Sequence, residues 1–257
     1  MTLWCFGDSY ASTYDDTNWT SQVAQYLKCE QKNFALAATS LEYMYSTFDD
    51  AEFETNDHLI IALTDIHRTY FFKEQPQASM PPQIMSPSFL KLLSSEKKFA
   101  LNQYYMYLTD NALVRENNLK NFLYRVQYVT EKKNLTTIVF NCFYEYDFIN
   151  ADNYPNLVLV PGLLESINSL EVSGTGRFFK YTSEIGTDLR ANHMCQSNHN
   201  ILASKVIDYY NSNTTIILDN FVKHLITDEN YKDPLFQDKE FSKTKIEVFN
   251  QCSSSLK

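Results

Sequence analysis

TLWCFGDSYAS, Thr2 to Ser12, is an apolar run broken by Gly-Asp-Ser. Six mostly apolar residues bounded by turn formers predict a short buried strand, Thr2 to Asp8. Gly7 is conspicuous, because the chain has five glycines and no other before Gly162. Ser9 then stands either as a nucleophile on a strand-to-helix turn or as a serine in an ordinary turn. Gly, Asp and Ser are common in turns, so the tripeptide alone does not decide.

Outward from this stretch the pattern alternates. NWTSQVAQYLK, Asn18 to Lys28, sets Trp19, Val23 and Leu27 at four-residue spacing behind a capping Asn18, which predicts an amphipathic helix. QKNFALAA (31–38) reads as a second strand and SLEYMYSTFDD (40–50) as a second helix. DHLIIALTD (57–65) is a third strand, LTTIVFNCF (135–143) a fourth and NLVLVPG (156–162) a fifth. A long helical region, about 89–133, carries Leu119, Phe122, Leu123, Val126 and Val129 on one face. NHNILASKVIDYYN (198–211) reads as a closing helix. Buried strands alternating with amphipathic helices predict a three-layer α/β/α sandwich around a mostly parallel five-stranded sheet, of the flavodoxin-like kind. Such sheets bind ligands at the carboxyl ends of their strands, which brings Ser9 together with Thr64 and Asp65 at one edge. The expected domain is 1–212, with a proline-rich insertion or lid at about 73–100 and a polar C-terminal extension at 213–257.

Composition narrows the function. A net charge of -9 argues against a nucleic-acid partner, which needs clustered Lys and Arg. No apolar run approaches the roughly 20 residues of a membrane span. MTLWCFGDS has none of the marks of a signal peptide, so a cytoplasmic or virion-associated protein is expected. The five cysteines form no C-x-x-C pair, and Cys5 and Cys142 fall inside strands as buried free thiols. His193 and His199 have no further His or Cys cluster beside them, so no metal is expected, and no cofactor either.

Two stretches together resemble the SGNH, or GDSL-type, hydrolases, an α/β superfamily of esterases and lipases. Gly7-Asp8-Ser9 after a strand resembles the family's first block, whose serine is the nucleophile. HMCQSNHNILASKVI, from His193, resembles its last block, in which a catalytic histidine precedes the final helix; Asn198-His199 falls on that block's Gly-His pair. The middle blocks depart from the family. NFALAATS has Asn33 in place but Ala37 and Ala38 where glycines are expected, and Thr64 stands where the third block has an asparagine. Arg190 occupies the usual position of the acid, three before the histidine, and Asp188 is the nearest carboxylate.

The resemblance implies that Ser9 attacks an ester carbonyl while His193 takes its proton. Asp188 or a backbone carbonyl would orient the histidine. The Ser9 and Ala38 amides and the Thr64 hydroxyl would hold the oxyanion. His67 and Arg68, just past strand three, would line the site and bind an anionic substrate group, or form a solvated charge pair. Tyr104, Tyr105 and Tyr107 suggest a sugar-stacking patch or aromatic core packing. The expected function is a serine esterase acting on a small ester such as an O-acetylated carbohydrate. The alternative is a catalytically weakened protein of that fold with a structural or binding role, for example in a bacteriophage particle, with the C-terminal extension meeting a protein partner.

Overall fold

The computed structural model describes residues 1–12, 16–36, 39–66, 68, 112–167, 170–172, 194, 196–222 and 224–226. Five strands form the central sheet: β1 (Thr2–Gly7), β2 (Glu30–Asn33), β3 (His58–Leu63), β4 (Thr136–Asn141) and β5 (Val158–Leu163). Their order is β2-β1-β3-β4-β5, with every one of these pairings parallel. This is the flavodoxin-like doubly wound order, whose ligands sit at the carboxyl edge where the winding reverses between β1 and β3.

Among the described residues four helices cover the sheet: α1 (Trp19–Leu27), α2 (Leu41–Asp49), α3 (Ala112–Lys133) and α4 (Gln196–Ser212). Strand periodicity sends alternate side chains to opposite faces. Leu3, Cys5, Ile60, Ala62, Ile138 and Phe140 pack against α1 and α4 through Trp19, Val23, Leu202 and Val206. Trp4, Phe6, Leu59, Ile61 and Val139 pack against α2 and α3 through Met44, Phe48, Leu119, Phe122, Leu123 and Val126. The α3 residues expected to share one face therefore do so, with Val129 packed at the margin of the same layer. The Asn18 cap matches expectation, its side chain accepting from the Thr20 N–H, and α2 is capped by Ser40, which accepts from the Tyr43 N–H.

Several element boundaries differ from the sequence reading, and one strand pair was not expected. β2 ends at Asn33 rather than running through 38, because the Asn33 side chain accepts from the Ala35 N–H at 2.8 Å and turns the chain. The chain still follows β1, with the Phe34 and Leu36 N–H groups donating to the Cys5 and Gly7 carbonyls. α4 begins two residues earlier than the pattern suggests, at Gln196. A small parallel pair, β6 (Leu170–Val172) with β7 (His224–Ile226), lies outside the main sheet.

Past α4, residues 213–222 lie on the core. Ile216 is buried, and Leu218 and Phe221 pack against the same layer. Asn198, fully buried in α4, donates to the Ile167 and Val222 carbonyls at 2.8 and 3.0 Å and accepts from the Val222 N–H at 2.7 Å. No helix among the described residues is long and apolar enough to cross a membrane.

Candidate active site

β1 delivers its last residues to the carboxyl edge through an unusually close approach. Gly7 has φ +146°, and a Cβ built there would lie 2.4 Å from the Ala62 carbonyl oxygen and 2.8 Å from the Ala62 Cβ. Only glycine combines that backbone with that proximity. The turn after it is tightly stitched. The Asp8 carbonyl accepts from the Ala11 and Ser12 N–H groups, both at 3.1 Å. The Asp8 carboxylate accepts from the Tyr10 N–H at 3.0 Å. The Ser12 hydroxyl donates to the Ser9 carbonyl, and Asn33 donates from its amide to the Ala11 carbonyl. Ser9 stands on this turn partly exposed, while Asp8 on one side and Tyr10 on the other are buried.

Arg68 completes the edge. Its Nη1 lies 3.2 Å from the Asp8 Oδ2 and 3.2 Å from the Thr64 hydroxyl oxygen, and its guanidinium covers the Phe143 ring at 4.7 Å. The side chain is 10% exposed and that of Asp8 0%, so the pair is buried, not a solvated surface charge. Burial pushes the Asp8 carboxyl up to about 6, against the opposing pull of Arg68, the Tyr10 N–H and the Cys142 thiol. Burial, with the Asp8 charge beside it, raises the Cys142 thiol well above the ordinary thiol range, which makes it an inert packing group. Thr64 is buried, and its hydroxyl donates to the Thr39 carbonyl at 2.7 Å.

The strand register joins the residues expected at this edge. Gly7 pairs with Ala62, so Ser9 and Thr64 leave adjacent strands in step. His193, Asp188, Ala38 and His67 lie outside the described residues, as do the proline-rich insertion and Tyr104, Tyr105 and Tyr107. The neighbours of His193 are informative. Met194 is buried in the same core layer as Tyr10, Ala11 and Cys142. The side chain of Gln196 bonds with Thr17, that of Asn200 with Gln22, and the His199 Nδ1 accepts from the Trp19 N–H at 3.5 Å. His199 therefore serves the start of α1, and the start of α4 is laced to the segment that follows the Ser9 turn. Among the described residues no cluster of His, Cys, Asp or Glu has metal-binding proximity.

Cys142 is the buried free thiol expected from the sequence, whereas the parts played by Asp8 and Phe143 were not foreseen. Their signal was positional: each is the last residue of a predicted buried strand, one or two residues past the observed end of β1 or β4, where side chains turn onto the ligand edge. A cleft of about 420 Å³ between α2 and α3, lined by Leu41, Tyr45, Asn118 and Asn121 among others, shares no residue with this edge.

No protein-family model matches the chain, and no curated protein matches it. Among solved structures, a protein assigned to the G-D-S-L lipolytic family from Desulfitobacterium hafniense is similar at 14% identity and a TM-score of 0.22. The match covers 60% of this chain and 93% of that one. At that score the likeness carries no argument, and the α/β fold rests on the strand order and the two covering helix layers.

Proposed function

We propose that this chain is a serine hydrolase of the SGNH kind, cleaving a small ester such as an O-acetyl group on a carbohydrate. One observation carries the reading. Described residues that follow His193 in the chain, some 180 positions from Ser9, pack beside the Ser9 turn: Met194 shares a core layer with Tyr10 and Ala11, and Gln196 and His199 bond to Thr17 and Trp19 at the entrance to α1. This packing of two distant stretches supports a site at the carboxyl edge of the doubly wound sheet, where ligands of this architecture bind.

The chemistry follows from the residue types. His193 takes the Ser9 hydroxyl proton as Ser9 Oγ attacks the ester carbonyl, with Asp188 or a backbone carbonyl orienting the imidazole. The tetrahedral oxyanion is met by the Ser9 and Ala38 amides; the Thr64 hydroxyl expected to join them donates instead to the Thr39 carbonyl. Collapse releases the alcohol with the proton from His193, and water then attacks the acyl-serine to free the acid. His67 and Arg68 contribute to substrate binding in this reading. The test is hydrolysis of p-nitrophenyl acetate and labelling by a fluorophosphonate probe, each beside Ser9→Ala. Turnover and labelling that both vanish with Ser9 are expected; their absence from the wild type overturns the reading.

A second reading has its own support. The Thr64 hydroxyl spends its single proton on Thr39, as a disabled oxyanion site would. It describes a protein of the same fold in a binding or structural role, for instance in a bacteriophage particle, and predicts no Ser9-dependent labelling.

A further inference from the structure

We propose that Arg68 is the charged side-chain donor to the oxyanion formed at Ser9, and that Thr64 is the residue that positions it. The proposal rests on the serine-hydrolase reading above. A hydroxyl has one proton, and that of Thr64 points to the Thr39 carbonyl at 2.7 Å while its oxygen accepts from the Arg68 Nη1 at 3.2 Å. In this arrangement Thr64 offers the site a lone pair, which would repel an oxyanion. What it holds in place is a cation.

The placement of that cation fits the task. β1 and β3 are neighbours in register at Gly7 and Ala62, and the missing Cβ of Gly7 lets their exits crowd together. Arg68 bridges those two exits, bonding Asp8 beside Ser9 on one and Thr64 on the other. Phe143 under the guanidinium fixes its plane. Both described polar contacts run from Nη1, and the Nε is buried with no hydrogen-bond partner. The Thr39 hydroxyl and the Asn141 side-chain oxygen, at the exits of the flanking segments, are also buried and unpartnered. Unsatisfied polar atoms on this scale cost folding free energy, and their gathering at one strand edge marks a place shaped for a polar group. Negative charge that develops only during acyl transfer suits a guanidinium that folding has left under-used.

The role is separable from binding an anionic substrate group, because p-nitrophenyl acetate carries no charge. Removing Arg68 alone would bury an unpaired Asp8 carboxylate, so the comparison is made within Asp8→Asn. Adding Arg68→Met there is expected to lower kcat by about 10²–10³-fold, with KM held within about twofold. Arg68→Lys, which keeps the charge but not the fork, is expected to lose about tenfold. Thr64→Val is expected to lose less than Arg68→Met, and added guanidinium ion to restore part of the turnover of Arg68→Ala. A merely structural Arg68 would show no such rescue.

The outcomes are distinct. Unchanged kcat in the Met and Lys variants, with Ser9 still labelled, overturns the role of Arg68 and leaves the hydrolase standing. A loss confined to KM for an anionic ester such as p-nitrophenyl succinate overturns it in favour of substrate-anion binding. No turnover or labelling in the wild type overturns both. Should the Met variant fail to fold, the Lys variant alone decides.

Discussion

Two buried aspartates sit at opposite ends of the same sheet, and they are held in opposite ways. Asp57, at the amino edge just before β3, accepts from the Thr2 N–H at 2.6 Å, the Trp4 indole N–H at 2.8 Å and the Glu54 N–H at 3.0 Å. Burial pushes its carboxyl up, but these three donors together with the positive charge of the chain terminus outweigh it, and the carboxyl ends below the ordinary range. Asp8, at the carboxyl edge, has the Tyr10 N–H, a guanidinium and a thiol, and burial prevails, leaving it at about 6. One end of the sheet is fully matched and built for stability. The other holds a charge in strain beside the serine, as edges that do chemistry often do.

The comparison can be broken in order of effect. Asp57→Ala leaves three N–H donors without their acceptor, Trp4 Nε1 among them, and is expected to cost about 5 kcal/mol in urea unfolding. Arg68→Met strips the partner from Asp8 and is expected to cost about 3 kcal/mol at pH 8. Because Asp8 then protonates readily, most of that cost should disappear at pH 5. A loss equal at both pH values would mean that the Asp8 charge is not what Arg68 balances.

The pH dependence of the wild type sharpens the same contrast. The folded pKa of Asp8 is raised above its ordinary value, so its contribution is full below about 4 and is lost as pH rises through about 6. The folded pKa of Asp57 is depressed, so its contribution is present above about 4 and is lost as pH falls through the depressed value. Asp8→Asn should flatten the slope between pH 4 and 6, and Asp57→Asn the slope on the acid side, in unfolding curves taken across that range. The smallest effect is expected at the entrance to α1. Asn18→Ala removes the acceptor for the Thr20 N–H and the donor to the Ser12 carbonyl, and should cost about 1 kcal/mol.

What the sequence made legible follows from the range of each interaction. β1, β3 and β4 are built around short apolar runs, and the stripe of α3 repeats at helical spacing, so local pattern suffices for them. β2 ends early because a single side-chain hydrogen bond at Asn33 diverts it, a detail that no run of apolar residues signals. β6 and β7 are three residues each and exist by pairing across more than fifty positions, so neither stands out alone. At the site, Ser9 was legible as a turn serine after a strand. Arg68 was legible as a charge near the edge, but its burial against Asp8 and Phe143 depends on contacts up to 75 residues apart.

Asn198 bears on how the chain can be shortened. Its amide meets Val222 as a neighbouring strand would, giving and receiving one bond, while its second N–H reaches Ile167. A chain cut at 212 would strip two of those three bonds from a residue with no access to water, and would uncover the layer that Ile216 seals. The ten residues that follow α4, 213–222, are therefore a clasp on the α1–α4 layer, and trimming that keeps the α/β core intact has to begin beyond Val222.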